Sequence, residues 1–288
     1  MKLALGTVQF GLPYGVSNNN GQTPLDEAQK ILELAHNSGI SLLDTAMAYG
    51  DSEARLGKIG VESFRVLTKL PSLPENCTNP KKWAEEQVDG SLQRLGLKCL
   101  YGLLLHNPAQ LLTSSGHHLF EALQGLKTRG LVEKIGISIY APSELDELLK
   151  LFSFDIVQSP FNPVDRSLLT SGWMNKLHAQ GIEIHVRSIF LQGLLLMTQN
   201  QVPSKFSRWS PLWKNWLTWL YQNGISPQAA CLAFAKSQPE INQILVGVET
   251  RHQLEQILDA FHSSTPESFP SIESTDPDLI NPTQWSKL

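Results

Sequence analysis

The stretch KIGISI (Lys134 to Ile139), the helix-like run Pro142 to Phe152 and the stretch DIVQS (Asp155 to Ser159) follow one another without a break. A short apolar run, a helical segment and a second apolar run are typical of a parallel strand-helix-strand unit. The same alternation continues in both directions along the chain. Several of the short runs are almost continuously hydrophobic, which indicates strands that are covered on both faces.

Eight strand-like runs separated by helix-like segments are predicted in the 288 residues. With no composition break between them, they favour a single-domain α/β fold, the closed (β/α)8 TIM barrel, over an open doubly wound sheet. The open sheet stays an alternative, because periodicity does not show closure. The predicted strands are Leu3 to Val8, Ser41 to Thr45, Phe64 to Leu70, Leu100 to His106, Lys134 to Ile139, Asp155 to Ser159, Ile182 to Ser188 and Gln243 to Val248. The predicted helices are Pro24 to Ser38, Pro80 to Leu95, Leu119 to Thr128, Pro142 to Phe152, Arg166 to Ala179, Pro227 to Ser237 and Arg251 to Phe261.

Two segments fall outside the alternation: Phe190 to Gly224, which is rich in tryptophan, and residues 263–288, which are rich in Ser, Pro and Asp. We therefore assign residues 1–262 to the barrel and residues 263–288 to a C-terminal tail. Two placements of the tail are open, over the barrel mouth or along the surface. The tryptophans form either a core or interface stripe, which we favour, or part of a loop over the mouth.

Composition limits the classes of partner. The net charge is −4, and no run of Lys and Arg suggests binding to nucleic acid or to a membrane surface. Three widely spaced cysteines indicate neither a disulfide framework nor a zinc site. The start of the chain lacks the apolar region of a signal peptide, and no apolar stretch approaches the roughly 20 residues of a membrane span. We expect a cytoplasmic protein that acts on a small molecule, and its oligomeric state stays open.

Polar side chains end three successive predicted strands. The strands end LLDT, VLTK and LLLHN, which places Asp44, Lys69 and His106 at one rim, and Tyr49 follows Asp44 by a short loop. The C-terminal ends of barrel strands are where enzymes of this fold place their chemistry. Because an isolated buried charge is costly, we expect Asp44 and Lys69 to pair with each other. The alternative is a barrel-end ion pair with a purely structural role.

These four residue types suit proton transfer. A tyrosine hydroxyl, with a usual pKa of ~10, becomes an effective acid or base when a neighbouring cation stabilises the phenolate. Lys69 can supply that cation, and Asp44 can hold it in place. His106 can orient a carbonyl oxygen or share its proton, although a lone histidine is more often a packed rim residue.

The segments DTAMAYG (44–50), TK (68–69) and LHN (105–107) resemble, in order and spacing, the catalytic tetrad of the aldo-keto reductases. The resemblance implies an NAD(P)H-dependent oxidoreductase that reduces an aldehyde or ketone to an alcohol. It implies that Tyr49 is the general acid, that Lys69 and Asp44 stabilise its phenolate, and that His106 places the carbonyl. Further similar segments are LGTVQFG (5–11), GIS (136–138), VQSPFN (157–162) and LVGV (245–248).

The same resemblance implies an extended dinucleotide along the barrel mouth, NADP in the first place with NAD as the alternative, and no metal. It places two residues at the nicotinamide amide and either Phe161 or Phe190 near the ring, where simple packing roles are equally plausible for both. Other residues would contact the pyrophosphate and the adenosine end, where the N-H groups of a helix starting after Val248 would favour an anion. The implied cofactor contacts are Thr7; Ser138 and Gln158 at the amide; Arg187, Ser188, Gln192 and Gly193 at the pyrophosphate; and Gly247, Arg251 and Gln253 at the adenosine end.

Two positions depart from the family pattern. Ile139 follows Ser138 where many members carry Asn, and Val246 stands where some members carry Lys. Recognition of a 2′-phosphate would therefore depend on Arg251 or His252. This departure weakens the preference for NADP over NAD.

Two other functions are alternatives to a reductase. The first is a cofactor-binding barrel that acts as a regulatory or interaction subunit with little turnover, and the complete tetrad argues against it. The second is a phosphate-binding isomerase or lyase, which the missing Gly-rich loops after strands seven and eight disfavour. The physiological carbonyl substrate depends on loops that the sequence does not specify.

Overall fold

The computed structural model describes residues 2–18 and 20–288, and its eight parallel strands close into a barrel. Each strand pairs with the next along the chain, and Leu5 of the first strand lies beside Val246 of the last. The predicted (β/α)8 barrel is therefore confirmed, and the open sheet is wrong. The strands are β1 (Lys2–Gly6), β2 (Leu42–Asp44), β3 (Arg65–Leu70), β4 (Leu100–Leu105), β5 (Val132–Ser138), β6 (Ile156–Pro160), β7 (Glu183–Arg187) and β8 (Gln243–Gly247).

Helices surround the barrel and pack their apolar faces on its outer surface. Among the described residues, none of these helices combines the length and apolar character that crossing a bilayer requires. The α-helices are α1 (Val8–Gly11), α2 (Leu25–Asn37), α3 (Ser52–Ile59), α4 (Pro80–Leu95), α5 (Gly116–Thr128), α6 (Leu145–Leu151), α7 (Ser167–Thr170), α8 (Trp173–Ala179), α9 (Ser210–Asn223), α10 (Pro227–Lys236), α11 (Arg251–Phe261) and α12 (Pro277–Ile280). Short 3-10 helices span Pro108–Leu112, Pro142–Glu144, Leu191–Leu196, Ser204–Trp209 and Pro282–Lys287.

One predicted helix is divided at a glycine, and the first predicted strand ends earlier in the structure. The predicted helix Arg166 to Ala179 is two helices, because Gly172 adopts a left-handed conformation with φ of +76° between them. The first predicted strand continues to Val8, whereas β1 ends at Gly6 and Val8 begins α1. Thr7 fixes that turn, since its hydroxyl donates to the Asp44 carbonyl oxygen at 3.1 Å. The turn carries α1 across the C-terminal rim of the barrel.

The barrel interior is layered. Its middle is filled by apolar side chains that include Leu67, Leu104 and Ile156. Gly136 leaves room for this layer, because a Cβ there would lie 2.8 Å from the Cδ2 atom of Leu104. The apolar layer separates a polar cluster at the N-terminal strand ends from the polar residues at the C-terminal ends.

The polar cluster at the N-terminal end contains Tyr101, Lys134, Glu183 and His185. The Tyr101 hydroxyl donates to Glu183 Oε2 at 2.8 Å, Lys134 Nζ donates to Glu183 Oε1, and His185 Nε2 lies 3.1 Å from Glu183 Oε2. Although burial alone favours the neutral acid, hydrogen bonds from His185, Lys134 and Tyr101 lower the pKa of Glu183 to about 2. A charged, hydrogen-bonded group therefore occupies the end of the barrel opposite Asp44, Tyr49, Lys69 and His106.

The tryptophan-rich segment and the tail pack together on the outside of the barrel. Trp213 and Trp216 are buried, and their indole N-H groups donate to the carbonyl oxygens of Phe206 and Leu195 at 3.2 and 2.9 Å. The Trp285 ring of the tail lies 4.9 Å from the Phe206 ring, centroid to centroid. Trp213 and Trp216 thus belong to the core, as the favoured interpretation expected.

Candidate active site

A cavity of about 530 Å³ opens at the C-terminal ends of the strands, and Asp44, Tyr49, Lys69 and His106 all line it. This volume lies within the usual range for small-molecule sites, ~300 to 1,000 Å³. Of the described residues in the tail 263–288, none belongs to the lining. In the same part of the chain, residues 2–18 and 20–288, no group of three His, Cys, Asp or Glu side chains could hold a metal ion.

A chain of buried hydrogen bonds crosses the floor of the cavity. Lys69 Nζ donates to Asp44 Oδ1 at 2.6 Å, and Gln158 Nε2 donates to Asp44 Oδ2 at 2.8 Å. The Ser138 hydroxyl in turn donates to Gln158 Oε1 at 3.1 Å. The predicted pairing of Asp44 with Lys69 is confirmed, and both carboxylate oxygens have a donor. Such full satisfaction is what a buried ion pair needs in order to be stable.

Tyr49 and His106 lie above this chain. The Tyr49 hydroxyl is 3.4 Å from Lys69 Nζ, which also donates to the Thr45 carbonyl oxygen at 3.0 Å. The Tyr49 and His106 rings meet edge to face with centroids 5.9 Å apart. The ammonium, the phenol and the imidazole therefore face one small volume of the cavity.

The electrostatics of the site follow from burial and from these neighbours. Burial alone would lower the pKa of Lys69, but the Asp44 carboxylate 2.6 Å away outweighs it and raises that pKa. Lys69 is therefore a fixed cation beneath the Tyr49 hydroxyl. Burial, with added repulsion from Lys69 and Arg187, lowers the pKa of His106 to about 4. His106 is consequently a neutral imidazole at neutral pH.

The lowered pKa of His106 predicts how the free energy of unfolding depends on pH. Between its ordinary pKa of 6.5 and the folded value of about 4, the unfolded chain binds a proton that the folded chain does not. The His106 contribution is thus fully present above pH 6.5 and declines as the pH falls toward 4. Urea unfolding at about pH 7 and pH 5 should show a larger loss in the wild type than in His106→Gln. Equal losses would contradict a neutral His106.

The Tyr49 loop is held by a close backbone contact with α1. A Cβ on Gly11 would lie 1.8 Å from the Tyr49 carbonyl oxygen, and a Cβ on Gly50 would lie 2.4 Å from the Gly11 carbonyl oxygen. Gly50 also has a φ of +53°, which favours glycine. The Ser52 hydroxyl donates to the Thr7 carbonyl oxygen at 2.9 Å. The two glycines and Ser52 therefore fix the position of the loop that carries Tyr49.

Most of the expected cofactor residues line the cavity, but two lie outside its lining. Phe161 is fully buried in the core, where it stacks on Phe234 with ring centroids 4.9 Å apart. Arg251 lies on the outer surface and pairs with Glu255, Nε to Oε1, at 3.0 Å. Phe190, the alternative to Phe161, is at the cavity. The expected residues that the structure brings to the cavity are Thr7, Ser138, Gln158, Arg187, Ser188, Gln192, Gly193, Gly247 and Gln253.

The loops after β1 and β7 meet across the cavity. Gln192 Nε2 donates to the Tyr14 hydroxyl at 2.9 Å, and a Cβ on Gly193 would lie 2.2 Å from the Ser17 hydroxyl oxygen. Ser188 and Gln192 have φ values of +57° and +51°, which are uncommon for residues with a side chain. Burial is the main reason that the pKa of Tyr14 is raised to about 12. The bridge between the two loops, formed by Tyr14 and Gln192, therefore joins a protonated phenol to a strained loop.

The sequence analysis missed several lining residues: Gln9, Tyr14, Tyr140 and Glu249. Gln9 lies in the first segment that resembles the family, and its amide fits against Gly247, where a Cβ would be 2.9 Å away. Tyr140 lies under the Arg187 guanidinium at 4.5 Å. Glu249 was detectable as a charged residue directly after an apolar strand, the same pattern that identified Lys69.

Comparison with known proteins gives relatives and a fold. An aldo-keto reductase of Mycolicibacterium vanbaalenii is 33% identical over 136 residues, which are 44% of this chain and 46% of that relative. One of Mycobacterium sp. strain KMS is 29% identical over 192 residues, 61% of this chain and 63% of that relative. The alignments thus span less than two thirds of the length of these curated relatives.

Solved structures agree with the barrel. The holo form of the aldo-keto reductase AKR11C1 from Bacillus halodurans aligns with a TM-score of 0.73 at 20% identity, over 92% of this chain and 87% of that one. At this identity the similarity establishes the fold alone. The sequence model of the Aldo/keto reductase family matches residues 2–277, and by this match over nearly its whole length the chain belongs to the aldo/keto reductase family.

Proposed function

We propose that the protein is an NAD(P)H-dependent oxidoreductase that reduces an aldehyde or ketone to an alcohol, with Tyr49 as the general acid. The observation that supports this most directly is the position of the Tyr49 hydroxyl, 3.4 Å from the buried ammonium of Lys69. An ammonium at this place stabilises the phenolate that remains when Tyr49 gives up its proton.

The cavity has features that fit a nicotinamide cofactor. Gln9 Oε1 is buried and has no hydrogen-bond partner among residues 2–18 and 20–288, and an amide NH2 group is a suitable donor for it. Ser138 and Gln158 add a hydroxyl and an amide at the cavity wall, and Arg187 adds a cation on the side of the β7 loop. When bound there, the reduced nicotinamide supplies a hydride to the carbonyl carbon.

Residues of the chain would then protonate and hydrogen-bond the oxygen of the carbonyl. Tyr49 donates its hydroxyl proton to that oxygen as the C-H bond forms, which yields the alcohol. Lys69 holds the negative charge left on Tyr49, and Asp44 keeps Lys69 in place. His106, neutral because burial lowers its pKa to about 4, adds an uncharged hydrogen-bonding group beside the phenol. Little reorganisation of these groups is required during the reaction.

Titration with NADH and NADPH, followed by a panel of aldehydes and ketones, tests this proposal. We expect at least one reduced dinucleotide to bind and its nicotinamide absorbance to fall when a carbonyl compound is added. Binding without any turnover across the panel would favour a regulatory or interaction subunit instead. If neither dinucleotide binds, the proposal is overturned.

A further inference from the structure

The cavity extends from Asp44, Tyr49, Lys69 and His106, at the ends of β2, β3 and β4, past β1 to the part of the mouth after β8. There its lining includes Val248, Glu249, Gln253 and Gln256. A dinucleotide that places its nicotinamide near Tyr49 has this part of the cavity available for its adenosine half. The groups at this end therefore decide which adenosine ribose is accepted.

Glu249 is the charged side chain on this stretch of the wall, and its position is fixed. Its backbone N-H donates to Gln253 Oε1 at 2.7 Å, and its carbonyl oxygen accepts from the Thr23 hydroxyl at 3.3 Å. Asn20 Nδ2 donates to the carboxylate oxygen Oε2 at 3.1 Å. The residue is only 9% exposed. Two contacts thus hold the Glu249 backbone at the cavity wall, and a third, from Asn20, holds its carboxylate.

The two residues expected to bind a 2′-phosphate, Arg251 and His252, lie outside the cavity lining. Arg251 pairs with Glu255, and His252 lies 3.6 Å from the same carboxylate with three quarters of its side chain exposed. Neither residue lines the cavity. Val246, which does line it, is apolar.

Two backbone N-H groups at the start of α11 already have acceptors within the chain. The Arg251 N-H donates to Glu27 Oε1 at 2.7 Å, and the Gln253 N-H donates to the Thr250 hydroxyl at 3.2 Å. Side chains of the protein thus already use these two N-H groups, and Glu27 adds a negative charge beside them. The expectation that this helix start would favour an anion is therefore not met at these two positions.

We propose that Glu249 makes the protein select NAD(H) over NADP(H). The carboxylate would accept a hydrogen bond from the 2′-hydroxyl of the adenosine ribose, as acidic residues do in other dinucleotide sites. A 2′-phosphate in the same place would bring about −1.5 to −2 charges toward the carboxylate. This inference rests on the proposed function, since it presumes a dinucleotide in the cavity.

Dinucleotide binding should be measured above neutral pH, because the proposed selection requires the ionised carboxylate of Glu249. Burial raises the pKa of Glu249, and the hydrogen bond from Asn20 acts in the opposite direction because it stabilises the carboxylate. We therefore specify about pH 8, well above the usual pKa of a glutamate at ~4.3. At that pH the repulsion of a 2′-phosphate is at its strongest.

Equilibrium titrations of NADH and NADPH into the wild type and two variants test the selection. In the wild type we expect NADH to bind at least about tenfold more tightly than NADPH, because the 2′-phosphate would meet a like charge; tenfold corresponds to about 1.4 kcal/mol. In Glu249→Gln the ratio of the Kd of NADPH to the Kd of NADH should fall by about tenfold, mainly because NADPH binds more tightly. Asp259→Asn removes the same charge from α11 at an exposed site outside the lining and should leave the ratio unchanged.

The outcomes separate this inference from the proposed function. If the wild type binds NADPH as tightly as NADH or more tightly, the selection by Glu249 is refuted, while dinucleotide binding still stands. Equal changes in Glu249→Gln and Asp259→Asn would refute it too, because net charge alone would then explain the effect. If neither dinucleotide binds, the proposed function itself fails. Melting temperatures of both variants close to that of the wild type would show that the folded proteins are being compared.

Discussion

Tyr49→Phe is expected to lower kcat for carbonyl reduction by about 100-fold to 10,000-fold, the usual contribution of one proton-transferring side chain. The substitution removes a single oxygen and keeps the ring that packs edge to face against His106. Dinucleotide binding should change little, because the cavity keeps its shape. Steady-state rates with a carbonyl substrate, together with a titration of the dinucleotide, measure both quantities.

Tyr221→Phe is a matched control for this experiment. It removes the same oxygen from a side chain that is 88% exposed on α9 and lies outside the cavity lining. Its kcat should equal that of the wild type. A Tyr49→Phe variant as fast as this control would show that Tyr49 is not the acid.

Lys69→Met is expected to reduce stability by about 3–5 kcal/mol, the usual cost of removing one partner of a buried ion pair. Lys69 is 1% exposed, and its loss would leave the Asp44 carboxylate without its cation in the barrel. Urea unfolding at neutral pH measures the loss. Activity should fall as well, because the cation beside the Tyr49 hydroxyl is gone.

The double variant Lys69→Met with Asp44→Asn separates the two effects. Removing the unpaired charge should restore part of the free energy of unfolding, while kcat should stay low. A double variant that regains both would show that Lys69 acts only through stability. Equal stabilities of the single variant and the wild type would contradict a buried, fully formed pair.

Neutral pH is the right condition for these measurements. The pKa of Lys69 is raised in the folded chain above its ordinary 10.5. The stabilisation that comes from this shift is fully present below 10.5 and is lost only as the pH rises through the higher folded value. Moderate changes around pH 7 therefore leave the Lys69 contribution unaltered.

The sequence predicted the parts of the fold that depend on local pattern. Alternating apolar runs and helices indicated eight strands, and charges at the ends of apolar strands indicated that Asp44 and Lys69 would meet. The split of the predicted helix at Gly172 was less visible, because a glycine inside a helical pattern is often tolerated. The early end of β1 depends on the bond from Thr7 to Asp44, which joins residues 37 positions apart.

The cofactor end was harder to predict, because it depends on where long side chains turn. Arg251 and Glu255 have the i,i+4 spacing of a helical ion pair, and this spacing was a usable sign that the arginine is occupied. The carboxylate of Glu249 accepts a hydrogen bond from Asn20, which is 229 residues away in the sequence. Family resemblance placed Arg251 at the adenosine end of the cofactor region, and it did not indicate the carboxylate of Glu249 in the cavity lining there.

The hydrogen bond between Tyr14 and Gln192 would affect how fast a dinucleotide leaves the cavity. If a dinucleotide binds beneath the two loops, as proposed above, its release would require the hydrogen bond between Gln192 and Tyr14 to break. Loop openings of this kind take microseconds to milliseconds or longer, and product release often limits well-evolved enzymes. Opening of these two loops would then be a candidate for the slowest step of a turnover.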